Sequence, residues 1–203
     1  MKELTANELE RLSANDVNVD KLHAAVKLML IAVGEDPNRE GLRDTPTRVI
    51  SSLLEMTEGY HQDPKEILST TFEETGGIPD AVVALDNIPF VSQCEHHMLV
   101  FSGVAHIGYL PKTRIVGLSK LARIVDVYAK RLQVQERMGQ QIATAINDEL
   151  QPLGVAVIIK GKHSCMACRG IRKHGTTMTT SCMLGAFMEE GNLRAEFLEL
   201  IKS

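Results

Sequence analysis

Residues 98–109, MLVFSGVAHIGY, and residues 119–128, SKLARIVDVY, decide the fold class, because the spacing of apolar side chains changes between them. The first is a β-branched and apolar run that predicts extended chain, broken at Ser102-Gly103. The second predicts a helix starting at Ser119 that buries Leu121, Ile124, Val125 and Tyr128 on one face. Outward from these, Ala81–Leu85 is a further predicted strand, and a second helix carries Val134, Met138, Ile142, Ala145, Ile146 and Leu150 until Pro152 and Gly154 stop it. Val155–Lys160 and Thr176–Phe187 then predict strands, and Leu193–Ile201 a closing helix. The order of two strands, two helices and two strands predicts an α+β unit: an antiparallel sheet with helices on one face. Such a sheet leaves edges exposed, and joining subunits edge to edge is a natural remedy.

Toward the N-terminus the pattern is helical. Asp20 is placed to cap a helix with Leu22, Val26, Met29 and Val33 at helical spacing, ended by Gly34 and Pro37. Thr45 and Pro46 predict the N-cap and first position of another, running through Val49, Ile50, Leu53 and Met56 to Gly59. Glu74–Asp80 (ETGGIPD) predicts a turn, after which β-branched residues take over. Residues 1–73 are therefore expected to form a helical extension and residues 74–203 the main domain.

Bulk composition narrows the function classes. A chain of 203 residues, 44% hydrophobic and 24% charged, supplies one sizeable core plus an appendage. No Trp, 4% aromatics and a formal net charge of -4 argue against a nucleic-acid partner. The polar, acidic start lacks the features of a secretory signal, and Ala24–Val33, broken by Lys27, is too short to span a bilayer. The expectation is a cytoplasmic protein with no membrane partner, whose four cysteines are thiols or metal ligands rather than a disulfide framework.

The strongest chemical signal is Cys94-Glu95-His96-His97 read with Cys165-Met166-Ala167-Cys168. Cys94 and His97 have the spacing that lets one turn offer two ligands to one ion, and thiolate with imidazole favours zinc over hard cations. Spacing leaves two arrangements open: a closed Cys3His structural site including Cys168, or three ligands with an open position for water. His96 and His163 are surplus imidazoles beside those ligands, either proton carriers or plain solvent- and backbone-bonded side chains. Lys120 and Arg123, placed in the first turn of the Ser119 helix, stand against the helix dipole unless an anion meets them; a phosphate is such an anion, and Ser119 either caps the helix or donates to it. Arg48 repeats the pattern in the Thr45-Pro46 helix, and Arg169 adds a guanidinium near Cys165. Gln135-Glu136 offers an amide and a carboxylate, the latter suited to the N1–H and 2-amino edge of guanine.

Together CEHH (Cys94–His97), HIGYLP (His106–Pro111), GLSKLARIVD (Gly117–Asp126), RLQVQER (Arg131–Arg137), HSCMACRGI (His163–Ile171) and TTMTTSCMLGAF (Thr176–Phe187) resemble GTP cyclohydrolase I in order and spacing, from about the Thr45-Pro46 helix to the end. The resemblance implies a tunnelling fold assembled as a toroidal homo-oligomer, typically a decamer, with active sites at subunit interfaces. It implies Zn2+ on Cys94, His97 and Cys165, with Cys168 outside the ligand set. It implies GTP as substrate, opened at C8 by a water activated at the metal, with formate released and 7,8-dihydroneopterin triphosphate formed after rearrangement. His96 and His163 are the implied proton shuttles; Glu136, with Gln135 near it, holds guanine. Ser119, Lys120, Arg123 and Arg169 hold the triphosphate and ribose end, with Arg48 lent by a neighbouring subunit. Whether a regulatory protein docks on the toroid is not implied. The rival readings are a nucleotide-binding module with structural zinc and a nitrile reductase of the same fold.

Overall fold

Thr5 opens the first helix, α1 (Ala6–Ala14), with a capping box: the Glu8 N–H donates to Thr5 Oγ1, and the Thr5 N–H donates to the Glu8 carboxylate at 2.7 Å. Thr-x-x-Glu is a legible helix start, yet this helix is absent from the expectations above. The computed structural model describes residues 3–73 and 81–202, and the chain divides into two compact units, Met1–Thr57 and Glu58–Ser203. In the first unit, α2 (Val19–Ala32) is capped by Asn18, whose side chain accepts from the Lys21 N–H; Asp20, the expected cap, lies inside the first turn. The third helix, α3 (Thr45–Met56), begins with Thr45 and Pro46 inside it and Asp44 in the cap position expected for Thr45. Pro46, Thr47 and Ile50 are its buried face, and Arg11 Nη1 donates to Leu54 O at 2.7 Å, tying α1 to α3.

The second unit starts sixteen residues before the expected boundary, and its opening segment is anchored by close contact. A Cβ on Gly59 would lie 2.1 Å from Val127 O and 2.8 Å from Lys130 O, so only glycine allows this approach. The Arg131 guanidinium donates to Gly59 O and Val127 O and lies over the Tyr60 and Tyr128 rings. Beyond it come α4 (Pro64–Leu68), with Leu68 in the core, and β1 (Thr71–Glu73). The ETGGIPD turn lies outside the described residues.

The main sheet begins with β2 (Val83–Cys94) and β3 (Val100–Leu110), followed by the short β4 (Arg114–Val116), which pairs with β1. Next come α5 (Leu118–Ala129), the two-residue β5 (Leu132–Gln133) and α6 (Gln135–Leu150). The chain continues with β6 (Gly154–His163), α7 (Ser164–Ala167) and β7 (Met178–Gly185), and closes with α8 (Ala186–Glu189) and α9 (Gly191–Leu200). The strand order is β5-β2-β3-β6-β7, antiparallel except that β5 runs parallel to β2. The expected strand–strand–helix–helix–strand–strand order is therefore the observed frame.

Three details depart from expectation. β2 runs on to Cys94 rather than ending at Leu85, because a bulge between Leu85 and Ile88, with Asn87 at φ 51°, shifts the alternation that marks a strand. β3 is unbroken at Ser102-Gly103: a Cβ on Gly103 would lie 1.9 Å from Lys160 O, so this glycine admits the neighbouring strand. Helices also cover both faces. Ala105, Ile107, Tyr109, Val155, Val157 and Ile159 pack toward α5 and α6, whereas Leu110, Ala156 and Ile158 pack with Phe187, Phe197 and Ile201 at the C-terminal end. Alternation along β6 sends successive side chains to opposite sides, and each side needs its own cover.

Among the described residues no helix is long and apolar enough to cross a membrane.

Candidate metal centre

Cys94 is the last residue of β2, and the chain turns immediately: the His97 and Met98 N–H groups both donate to Cys94 O, and the Cys94 N–H donates to Leu99 O. Met98 takes a positive φ of 54° to close the turn. Cys165 reaches the same place from the other side, on the single helical turn α7 that follows β6. Cys94, His97 and Cys165 bring one ligand atom each to within 4.8 Å of one another. Cys168 is exposed and lies outside this group, so the structure assembles the three-residue arrangement and not the closed Cys3His one.

The donor set suits a soft divalent metal: two thiols and an imidazole, with a fourth position left for solvent or substrate. Burial, then the neighbouring Cys94 thiol, pushes the Cys165 thiol up, while Arg169 pulls it down. Metal binding would have to displace the Cys165 proton. His97 turns Nδ1 toward Cys94 Sγ, 3.8 Å away, and Nε2 toward Arg169 Nη1, 2.8 Å away. Were His97 to hold a metal through Nδ1, its ring proton would sit on Nε2, which could then no longer accept from Arg169, and the guanidinium would be available to another acceptor.

The two surplus imidazoles differ in setting. His96 is exposed, with Nδ1 3.7 Å from Cys94 Sγ. His163 ends β6 half-buried, its ring stacked on Phe101 at 4.6 Å and 4°. Burial pushes its pKa down, and Glu136 pulls it back up. Gln135 decides its tautomer. The Gln135 amide nitrogen meets Ile159 O, Met178 O and Thr180 Oγ1 at 3.0–3.1 Å, so Oε1 is the atom 2.9 Å from His163 Nε2. An amide oxygen only accepts; Nε2 carries the proton, and Nδ1 is the basic nitrogen.

Gln135 is thus buried and spent on His163 and the strands rather than turned outward beside Glu136. Glu136 is exposed and lines a cavity of about 190 Å3 with Gly139, Val157, Thr180, Ser181 and Cys182. Ser119 lies within α5, whose cap position is Gly117, so it does not cap the helix. Lys120 is in the first turn as expected, but Arg123 falls in the second, facing a cavity of about 470 Å3 with Glu58, Asp63, Glu66 and Asp126. Arg48 has an anion of its own, Asp44, at 3.7 Å. The far end of α5 leads into β5 beside Cys94, whereas Ser119 lies ten residues earlier, about 15 Å along the helix axis.

A family model described as GTP cyclohydrolase I matches residues 22–202, reaching further toward the N-terminus than the motif resemblance does. A protein named GTP cyclohydrolase 1 from Mycolicibacterium gilvum is 50% identical over 197 residues, covering 96% of each chain. Another of that name from Sinorhizobium fredii is 52% identical over 178 residues, 88% of this chain and 86% of its own. One from Synechococcus sp. is 47% identical over 193 residues, 95% of this chain and 83% of its own. Among solved structures, an archaeosine synthase QueF-Like in the apo form covers 54% of this chain and 97% of its own at 18% identity and a TM-score of 0.45, too loose to bear on chemistry.

Proposed function

The chain belongs to the GTP cyclohydrolase I family, and from that premise we propose that it hydrolyses the purine of GTP at C8, releases formate and forms 7,8-dihydroneopterin 3'-triphosphate, the entry to pterin and folate synthesis. The observation that carries this reading is the convergence of Cys94, His97 and Cys165, with His163 two residues before Cys165 in sequence. Zinc fits the donor set, and when bound it supplies the Lewis acidity that makes water a nucleophile near neutral pH.

The protein's own residues do the rest. His163, with Nε2 fixed as donor by Gln135, accepts a proton at Nδ1 and returns it to the imidazole-ring nitrogens of guanine as that ring opens. His96, exposed on the metal turn, is the second proton carrier. Glu136 accepts from the N1–H and 2-amino groups and so orients C8. Arg169, freed from His97, joins Ser119, Lys120 and Arg123 on the triphosphate and ribose.

The separation along α5 supports completion of the site by another subunit, with Arg48 as a further lent cation. A tunnelling fold closed into a toroid, typically a decamer, gives that arrangement and covers the sheet edges. The setting is cytoplasmic, where thiols stay reduced and available to metal.

Incubating zinc-loaded protein with GTP tests the proposal. Formate and an oxidisable pterin fluorophore should appear in equal amounts, and chelation of the metal should stop both. GTP left intact, or hydrolysed only at its phosphates, would refute it.

A further inference from the structure

Arg137 stands third in α6, where the positive end of the helix dipole disfavours a cation unless an anion faces it. That anion is protein, not phosphate. Arg137 Nη1 donates to Glu95 Oε2 at 2.6 Å and Nη2 to Glu95 Oε1 at 2.8 Å, a two-pronged pair that holds the Glu95 carboxyl below its ordinary range. Glu95 sits between Cys94 and His96-His97, and its Oε1 is 3.9 Å from His96 Nε2. Two backbone links join the same segments: the Glu95 N–H donates to Gln133 O at 3.0 Å, and Cys94 registers with Gln133 across the β2–β5 pair. The turn carrying two of the three metal-group residues is therefore fastened to the segment that begins α6. That segment holds Gln135, the anchor of His163, and the outward carboxylate of Glu136.

We propose that Arg137 is a positioning residue: through Glu95 it sets the Cys94–His97 turn against the first turn of α6, so that the metal group and Glu136 keep one spacing. Both side chains are partly exposed, and ion pairs in such settings contribute little to stability. What the pair supplies is orientation, because a planar guanidinium gripping both carboxylate oxygens permits one geometry where an ammonium permits many. Outer contacts of this kind typically govern metal affinity by about tenfold to a hundredfold.

This proposal rests on the metal reading above, and its test separates the two. Zinc affinity is measured by chelator competition on purified wild type, Arg137→Ala, Arg137→Lys and Glu95→Gln, alongside thermal midpoint, kcat and KM with GTP. Arg137→Ala should keep the wild-type midpoint, bind zinc about tenfold or more weakly, and lose kcat by a similar factor. Glu95→Gln should move in the same direction, and Arg137→Lys should recover only part of the loss. Wild type that binds zinc beside an Arg137→Ala that binds it equally well, with kcat within about twofold, would overturn the positioning role alone. Loss of midpoint and zinc together, unrescued by lysine, would reduce the pair to a structural prop and overturn it too. Wild type that takes up no zinc would overturn both readings.

Discussion

Cys94 is 7% exposed and its turn is held by backbone bonds on three sides, whereas Ser119 and Arg123, on α5, are exposed. Among the described residues neither Lys120 nor Arg123 has an ion-pair partner within the chain. The metal turn is fixed by contacts within its own chain; the two cations are not. On the proposed function, the difference follows from what each end would do. Activating water and moving protons require donors fixed to a fraction of an ångström, which packing and hydrogen bonds achieve inside one chain. Gripping a triphosphate needs charge that is free to be neutralised, and cations already paired would have to be pulled apart first.

The sharpest way to break the contrast is at the metal turn itself. His97→Ala should lose metal and all measurable formate release, whereas Cys168→Ala should keep metal content and turnover near wild type, as read by elemental analysis and a formate assay. Zinc lost in Cys168→Ala would restore the closed four-ligand reading.

Proton transfer comes next in size. His163→Ala should retain zinc while kcat falls by about a hundredfold or more, the usual scale for losing a general acid or base. Gln135→Ala, which leaves the ring stacked on Phe101 but frees its tautomer, should show a smaller loss, with a pH–rate profile displaced from that of wild type. Unchanged profiles in Gln135→Ala would detach it from His163.

The pairing of His163 with Cys165 shows how far the sequence could be read. Residues two apart share a side in extended chain, but β6 ends at His163 and Cys165 lies on a helical turn, so strand alternation does not relate the two side chains. The helix-and-strand order was legible because the apolar period switches cleanly between Tyr109 and Leu121. The course of β2 past Leu85 was not, because one extra residue at the Asn87 bulge inverts the alternation. The four candidate ligands were legible from residue type and spacing, but the choice of three was not: spacing left the closed Cys3His set open, and only the family resemblance put Cys168 outside it. Arg137, Glu95 and the inward turn of Gln135 were not legible, because partners more than twenty residues apart leave no local signature, and a Gln-Glu-Arg run reads as solvated helix face.

A smaller effect lies away from both ends of the site. His106 is buried on the other face of the sheet, its Nδ1 accepting from the Asn87 N–H at the bulge, and burial first, then Lys160, pushes its pKa down, with Asp86 opposing. The unfolded chain therefore takes up this proton at higher pH than the folded one. Its contribution to stability is full above the unfolded value of about 6.5 and is lost as pH falls toward the lowered folded value. Denaturant midpoints from pH 7 to pH 5 should fall more steeply for wild type than for His106→Gln; parallel slopes would remove His106 from the account.

Mixing two inactive chains tests most directly the claim that the metal half is complete in one chain and the phosphate half is not. His97→Ala lacks the metal and Arg123→Ala weakens the triphosphate grip, so each alone should be nearly inactive. Co-expressed and purified as one assembly, they should recover about a quarter of wild-type formate release, since random pairing leaves that share of sites with both halves intact. An assembly that forms and stays as inactive as either variant alone would show that each active site is drawn from a single chain.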